Sequence, residues 1–240
     1  MKKCFFLLLV LSLSVTGVSA QVTDPAEKEL GFVSLFNGEN LDGWQGAVNH
    51  YFAKDGILVC DKIGGNLLTA EQYANFIFRF DFKLKANGNN GVTFRASDPA
   101  GELSFNKGTE IQLLDDTGVE YAGKIAEYQF CGSIYGVAPA KQGSLNPVGE
   151  WNAMEILCDG TRVKITINGK DVVDVKVDEI KTPYPDHRDH PALRNTAGYI
   201  GFLGHNHELE FRNLRIKTLN QFGQGEKVLT REKELKAKSV

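Results

Sequence analysis

The chain has 240 residues, 27 of them basic and 30 acidic, for a formal net charge of −3. Removing the first 20 residues takes away Lys2 and Lys3, leaving 25 basic against 30 acidic residues and a net charge of −5. That balance argues against nucleic acid as a partner, because phosphate binding needs a basic face.

The chain opens as a secretory signal. Lys2 and Lys3 precede an apolar run over residues 5–15, and Val18-Ser19-Ala20 is a small-residue cleavage site. Cleavage after Ala20 is expected, with the mature protein periplasmic or secreted. The run is too short for a membrane span. Residues 21–30 form a polar lead-in. Phe32-Val33-Ser34-Leu35-Phe36 is a first strand stopped by Asn37-Gly38, and Leu41-Asp42-Gly43-Trp44 follows as a tight connection. Trp44 suits either a core plug or a sugar platform, and the plug is the commoner use.

The clearest strand covers residues 76–85. Phe76, Phe78, Phe80, Phe82 and Leu84 alternate with Ile77, Arg79, Asp81, Lys83 and Lys85. This period of two predicts one apolar face and one that meets water. Asn87-Gly88-Asn89-Asn90-Gly91 is a turn signal. Beyond it Val92 and Phe94 face a core and Arg95 faces away. The next strand, residues 109–114, points Ile111 and Leu113 into the core and Glu110 and Gln112 outward, with Asp115 and Asp116 where it ends. Residues 117–130 are an excursion carrying Tyr121, Lys124 and Tyr128. Strand character resumes at Ser133-Ile134-Tyr135-Gly136. Asn168-Gly169 marks a hairpin between alternating valine and isoleucine runs. Residues 181–197, with Pro183, Pro185 and Pro191, form a long loop of the functional or mobile kind. Leu209 and Phe211 are out of phase with Leu214 and Ile216, which predicts a β-bulge near Arg212-Asn213. The Lys-rich tail, residues 220–240, reads as a short helix or as disorder.

About a dozen short strands and no long helical period before the tail predict one all-β sandwich over residues 31–219. Cys60, Cys131 and Cys158 sit in apolar strand patterns and read as buried free thiols. No CxxC pair supports a zinc-cysteine site.

The phase of each strand turns Arg95, Glu110, Gln112 and His205 away from the core. On one shared face they would make a polar surface suited to sugar hydroxyls; otherwise they are an ordinary solvated sheet face. His187 and His190, with Asp186 and Asp189, are candidate ligands for a divalent metal, although i,i+3 spacing has no helical meaning in a loop. Glu110 and Asp115 suggest a glycosidase pair. Five residues apart, they face opposite ways unless Asp115 has left the strand.

Several motifs resemble the 3-keto-disaccharide hydrolase domain family. They are Gly31-Phe32-Val33-Ser34-Leu35-Phe36-Asn37-Gly38 with Leu41-Asp42-Gly43-Trp44, Asn90-Gly91-Val92-Thr93-Phe94-Arg95, Glu110-Ile111-Gln112-Leu113-Leu114-Asp115, Gly132-Ser133-Ile134-Tyr135, Gly149-Glu150-Trp151-Asn152, Gly198-Tyr199-Ile200-Gly201-Phe202 and Glu210-Phe211-Arg212-Asn213-Leu214. The resemblance implies a concanavalin-A-like (laminin-G-like) two-sheet antiparallel jelly roll. It also implies a secreted enzyme acting on glycosides already oxidised to a ketone at C3, by hydrolysis or by elimination. Leu203 stands where the family usually carries Gln. Under this resemblance Glu110 or His205 is the base. Arg95 or a divalent metal stabilises the enolate, and Gln112, Asp115, Tyr135 and Lys124 contact the saccharide. A non-catalytic glycan-binding module is the alternative, and a structural surface protein a third.

Overall fold

The computed structural model describes residues 22, 24–98 and 107–238. The signal reading at residues 1–20 lies outside the described residues. In chain order the strands are β1 (Val33–Ser34), β2 (Trp44–Gly46), β3 (Tyr51–Lys54), β4 (Ile57–Cys60), β5 (Gly64–Tyr73), β6 (Phe76–Lys83), β7 (Asn89–Ala96), β8 (Thr109–Leu114), β9 (Trp151–Asp159), β10 (Arg162–Ile167), β11 (Lys170–Lys176), β12 (Gly198–His205) and β13 (Leu209–Thr218). Two helices flank them, α1 (Pro25–Leu30) and α2 (Gly225–Lys238).

The strands build two antiparallel sheets, as the sandwich reading requires. One runs β11-β10-β9-β6-β13-β4-β3 with β1 on β13, and the other runs β2-β5-β12-β7-β8. Their facing sides meet in an aromatic core. Phe76, Phe78, Phe80 and Phe82 of β6 are fully buried, each worth about 1.5–3 kcal/mol of burial. Phe202 of the second sheet stacks on Phe211 of the first, with ring centroids 4.0 Å apart. Trp44 is a core plug: it is buried beside Phe202 and its Nε1 donates to the Leu35 carbonyl at 2.8 Å. The register of β13 against β6 shifts between Arg212 and Arg215, with Asn213 at φ 54°, where the phase change predicts a bulge. Cys60, Cys131 and Cys158 are buried free thiols.

The outer face of β6 departs from expectation. Ile77 and Arg79 are buried there, not solvated. The reason is that α1 and α2 pack over them. Ile77 joins Val22, Phe32, Leu157, Leu219 and Leu229 in a second apolar cluster. The Arg79 guanidinium is paired with Glu27 of α1, Glu155 of β9 and Glu232 of α2. The polar lead-in and the charged tail are therefore ordered over residues 25–30 and 225–238, where their charges find partners on the sheet and on each other.

Candidate functional site

The floor of the site is the edge of the second sheet, β8-β7-β12. Registration sets its rows. Glu110 stands opposite Thr93, Gln112 opposite Gly91, and Gly91 opposite Leu203 on the far side. Because Gly91 carries no side chain, the Glu110 carboxylate folds over it. A Cβ added at Gly91 would lie 2.2 Å from Glu110 Oε1. Across that gap Glu110 Oε1 meets His205 Nε2 at 3.1 Å. The carboxylate is the more enclosed partner, with its side chain 14% exposed against 44% for the imidazole. The hydrogen bond that Glu110 accepts from His205 holds the imidazole pKa above its ordinary value, against the opposing pull of burial.

The wall beside β8 is irregular chain that behaves as one more edge strand. Gly132 N donates to Gln112 O at 2.8 Å, Gln112 N to Ser133 O at 3.0 Å and Tyr135 N to Glu110 O at 2.9 Å. Tyr135 is thus aligned with Glu110 and lines the same cleft of about 600 Å³, together with Gln112, Gln129, Arg188, Leu203 and His205. Gln112 Nε2 donates to Asn89 Oδ1 at 3.1 Å, which fixes the amide on the floor.

The long loop supplies the remaining corner. Asp186 N donates to Gly136 O at 3.3 Å. The Asp186 carboxylate takes the Arg188 amide at 3.0 Å and pairs with His190 Nε2 at 3.0 Å. Gly136, at φ 74°, makes this seat possible: a Cβ there would stand 2.4 Å from Asp186 Oδ2. With the loop held on Gly136, next to Tyr135, Arg188 lines the cleft.

The structure gathers Glu110, Gln112, Tyr135 and His205 and separates the other sequence candidates from them. Arg95 lies outside the cleft. Phe94 and Arg95 face the single residue Ile200 across β7 and β12, and this bulge, with Arg95 at φ 50°, turns the side chain away. Its guanidinium donates instead to the Ala74 and Gly160 carbonyls and to Asn75 Oδ1. Asp115 has left the strand but points into the turn, where it is buried and accepts from Asn87 N at 2.9 Å and Thr117 Oγ1 at 2.8 Å. The two-carboxylate glycosidase geometry is therefore not assembled. Lys124 donates to the Val119 carbonyl on its own excursion. His190 is buried against Tyr184 and locks Asp186, and His187 is a left-handed loop residue, at φ 59°. Among the described residues, the one close triad of metal-ligand types is Asp24, Glu27 and Glu232. It lies beneath the helices, where Arg79, Arg215 and Lys236 neutralise it. Sequence reasoning missed Arg188, Gln129 and Asn89, the last read only as part of a turn. Arg188 was within reach of it, being a cation in a loop already singled out by length and proline content; Gln129 carried no signal.

Residues 31–217 match the model of a family described as the 3-keto-alpha-glucoside-1,2-lyase-like domain. The chain is 24% identical over 230 residues to a 3-keto-disaccharide hydrolase of Bacteroides thetaiotaomicron, covering 79% of each protein. Two crystal structures of Parabacteroides distasonis proteins, provisionally assigned as glycosyl hydrolases, share the fold. One has a TM-score of 0.70 at 27% identity, covering 83% of this chain and 99% of that one. The other has a TM-score of 0.69 at 30% identity, covering 78% and 99%.

Proposed function

The chain belongs to the 3-keto-alpha-glucoside-1,2-lyase-like domain family, which makes it a glycoside-hydrolase-like protein, and from that premise we propose that it cleaves 3-keto-glycosides by elimination across C1 and C2. A ketone at C3 acidifies the proton on C2. A base removes that proton, the charge moves to the C3 oxygen as an enolate, and the aglycone leaves from C1. Water added to the resulting enone gives net hydrolysis.

The observation that carries this reading is the Glu110–His205 pair on the floor of a cleft that also holds Arg188. The contact with Glu110 favours the protonated imidazole, and we read the more enclosed carboxylate as the member of the pair that accepts the C2 proton. Glu110 is accordingly the base and His205 the cation that orients it. Arg188, in place of Arg95, is the donor to the enolate oxygen. Gln112 and Asn89, which line the same cleft, bond sugar hydroxyls in this reading. The route needs one base and one enolate stabiliser, not two facing carboxylates, which fits the position of Asp115. We further place the protein in the periplasm or outside the cell, on the strength of the signal-like residues 1–20.

The test is release of aglycone from a 3-keto-glucoside and from its unoxidised parent, each with and without chelator. Cleavage of the keto form alone is the expected result, and a chelator effect would add a divalent metal to the site. Binding of unoxidised oligosaccharide with turnover of neither would replace the enzyme reading by a glycan-binding module.

A further inference from the structure

We propose that Tyr135 is the general acid of this reaction, delivering its phenol proton to the aglycone oxygen as the C1–O bond breaks, with Gln129 as the residue that positions it. The inference rests on the elimination reading and adds the group that reading lacks. An alkoxide is a poor leaving group, and departure of an alcohol aglycone needs a proton at the glycosidic oxygen. In that reading Glu110 takes the C2 proton, His205 is held on Glu110 and Arg188 serves the enolate oxygen, so the proton comes from elsewhere in the cleft.

Tyr135 is aligned with Glu110 on the neighbouring edge, through the hydrogen bond from Tyr135 N to Glu110 O at 2.9 Å. Residues opposed in this way present their side chains on one face. Base and phenol therefore flank one substrate position.

The hydrogen-bond sense at the phenol is set by Gln129. Its Oε1 is taken by the Ala126 amide at 3.0 Å. The other end of the amide must then be the nitrogen, and Gln129 Nε2 donates to the Tyr135 oxygen at 3.0 Å. The phenol oxygen accepts at that contact, and its own O–H is directed away from Gln129. Tyr128 packs edge-on against the Tyr135 ring, with centroids 5.8 Å apart, and fixes its plane. Burial raises the phenol pKa, the Gln129 contact opposing it, so the proton stays on the oxygen until a substrate oxygen develops charge.

The step balances without an oxidant or reductant. Glu110 takes the C2 proton, and the C2–H electron pair forms the C1=C2 bond. The C1–O pair leaves on the aglycone oxygen, which takes the Tyr135 proton. The proton on Glu110 returns to the phenolate through solvent.

The test compares two 3-keto-glucosides, one with an aliphatic alcohol aglycone and one with 4-nitrophenol, which leaves without protonation. Tyr135→Phe should lower kcat/KM on the alkyl substrate by about 10²–10⁴-fold and on the nitrophenyl substrate by less than about tenfold. Gln129→Leu should produce the same selectivity with a smaller loss. Equal loss on both substrates, or loss on neither, overturns the acid role while leaving the elimination reading intact. A wild-type protein that releases neither aglycone overturns both.

Discussion

The space above Gly91 is where the Glu110 carboxylate lies, so one added carbon reaches the site's chemistry directly. Gly91→Ala places a methyl 2.2 Å from Glu110 Oε1. The carboxylate has to swing off His205, and with Glu110 as the proposed base a displacement of about 1 Å can cost about 100-fold in rate. A loss of that order in kcat/KM, with a cooperative unfolding transition retained, is the expected outcome of enzyme assay beside thermal melting. The same pair sets a pH dependence. Glu110 raises the His205 pKa, so the imidazolium–carboxylate contact is fully present below the ordinary imidazole value. It is lost as pH rises through the raised one. With Glu110 as base and cationic His205 as its support, kcat/KM falls across that upper range. A profile that instead rose through it would make His205 the base. In Glu110→Gln the His205 titration, followed by NMR, should move back toward the ordinary value.

Among the elements, β6 shows how two layers share one strand. Its phenylalanines fill the space between the sheets, while Arg79 on the opposite side is enclosed by α1 and α2, with its side chain 10% exposed. Arg79→Met would leave the Glu27, Glu155 and Glu232 carboxylates facing one another without their shared cation. Breaking a buried pair in this way costs about 3–5 kcal/mol, which denaturant titration would read directly. Acid attacks the same contacts from the other side. Burial alone would raise the Glu232 pKa, but hydrogen bonds from Arg79 and Lys236 outweigh it and hold the value below the ordinary one. At Asp24 burial is likewise outweighed, by Lys236 and the first amides of α1. Both therefore contribute stability above the ordinary carboxylate pKa, and the contribution is lost as pH falls through the lowered values. Amide hydrogen exchange should show α2 loosening at acid pH before β6 does.

For the molecule as a whole, the two-sheet core predicts how its thiols behave. Burial pushes Cys60 up to about 11 and Cys131 and Cys158 up to about 12. In the native state these three thiols, as distinct from Cys4 in the signal-like segment, should resist a thiol reagent at neutral pH and react together when the sheets separate, so their labelling tracks global unfolding. The sandwich was legible in the sequence because alternation of period two survives wherever one face of a strand is buried, as at Phe76, Phe78, Phe80 and Phe82. It misled on the far face of β6, because a buried arginine paired with three carboxylates reads like a solvated one. Strand phase also carried Glu110 and Gln112 to the cleft. It could not see the β7 bulge that removes Arg95, since a bulge is one extra residue without a compositional mark. Nor could it place Arg188, which reaches the cleft only because Asp186 is seated on Gly136, some 50 residues earlier in the chain.

The ion pair between Asp24 and Lys236, at 3.0 Å, has a topological consequence. It brings the two ends of the folded body together on the side of the first sheet that faces away from the core, while the cleft is built on the second sheet. A linker of a few residues joining positions 24 and 236 would close residues 24–236 into a ring at small entropic cost, because loop-closure entropy grows only slowly with length. Backbone cyclisation could therefore stiffen the whole sandwich without introducing a single atom near the substrate.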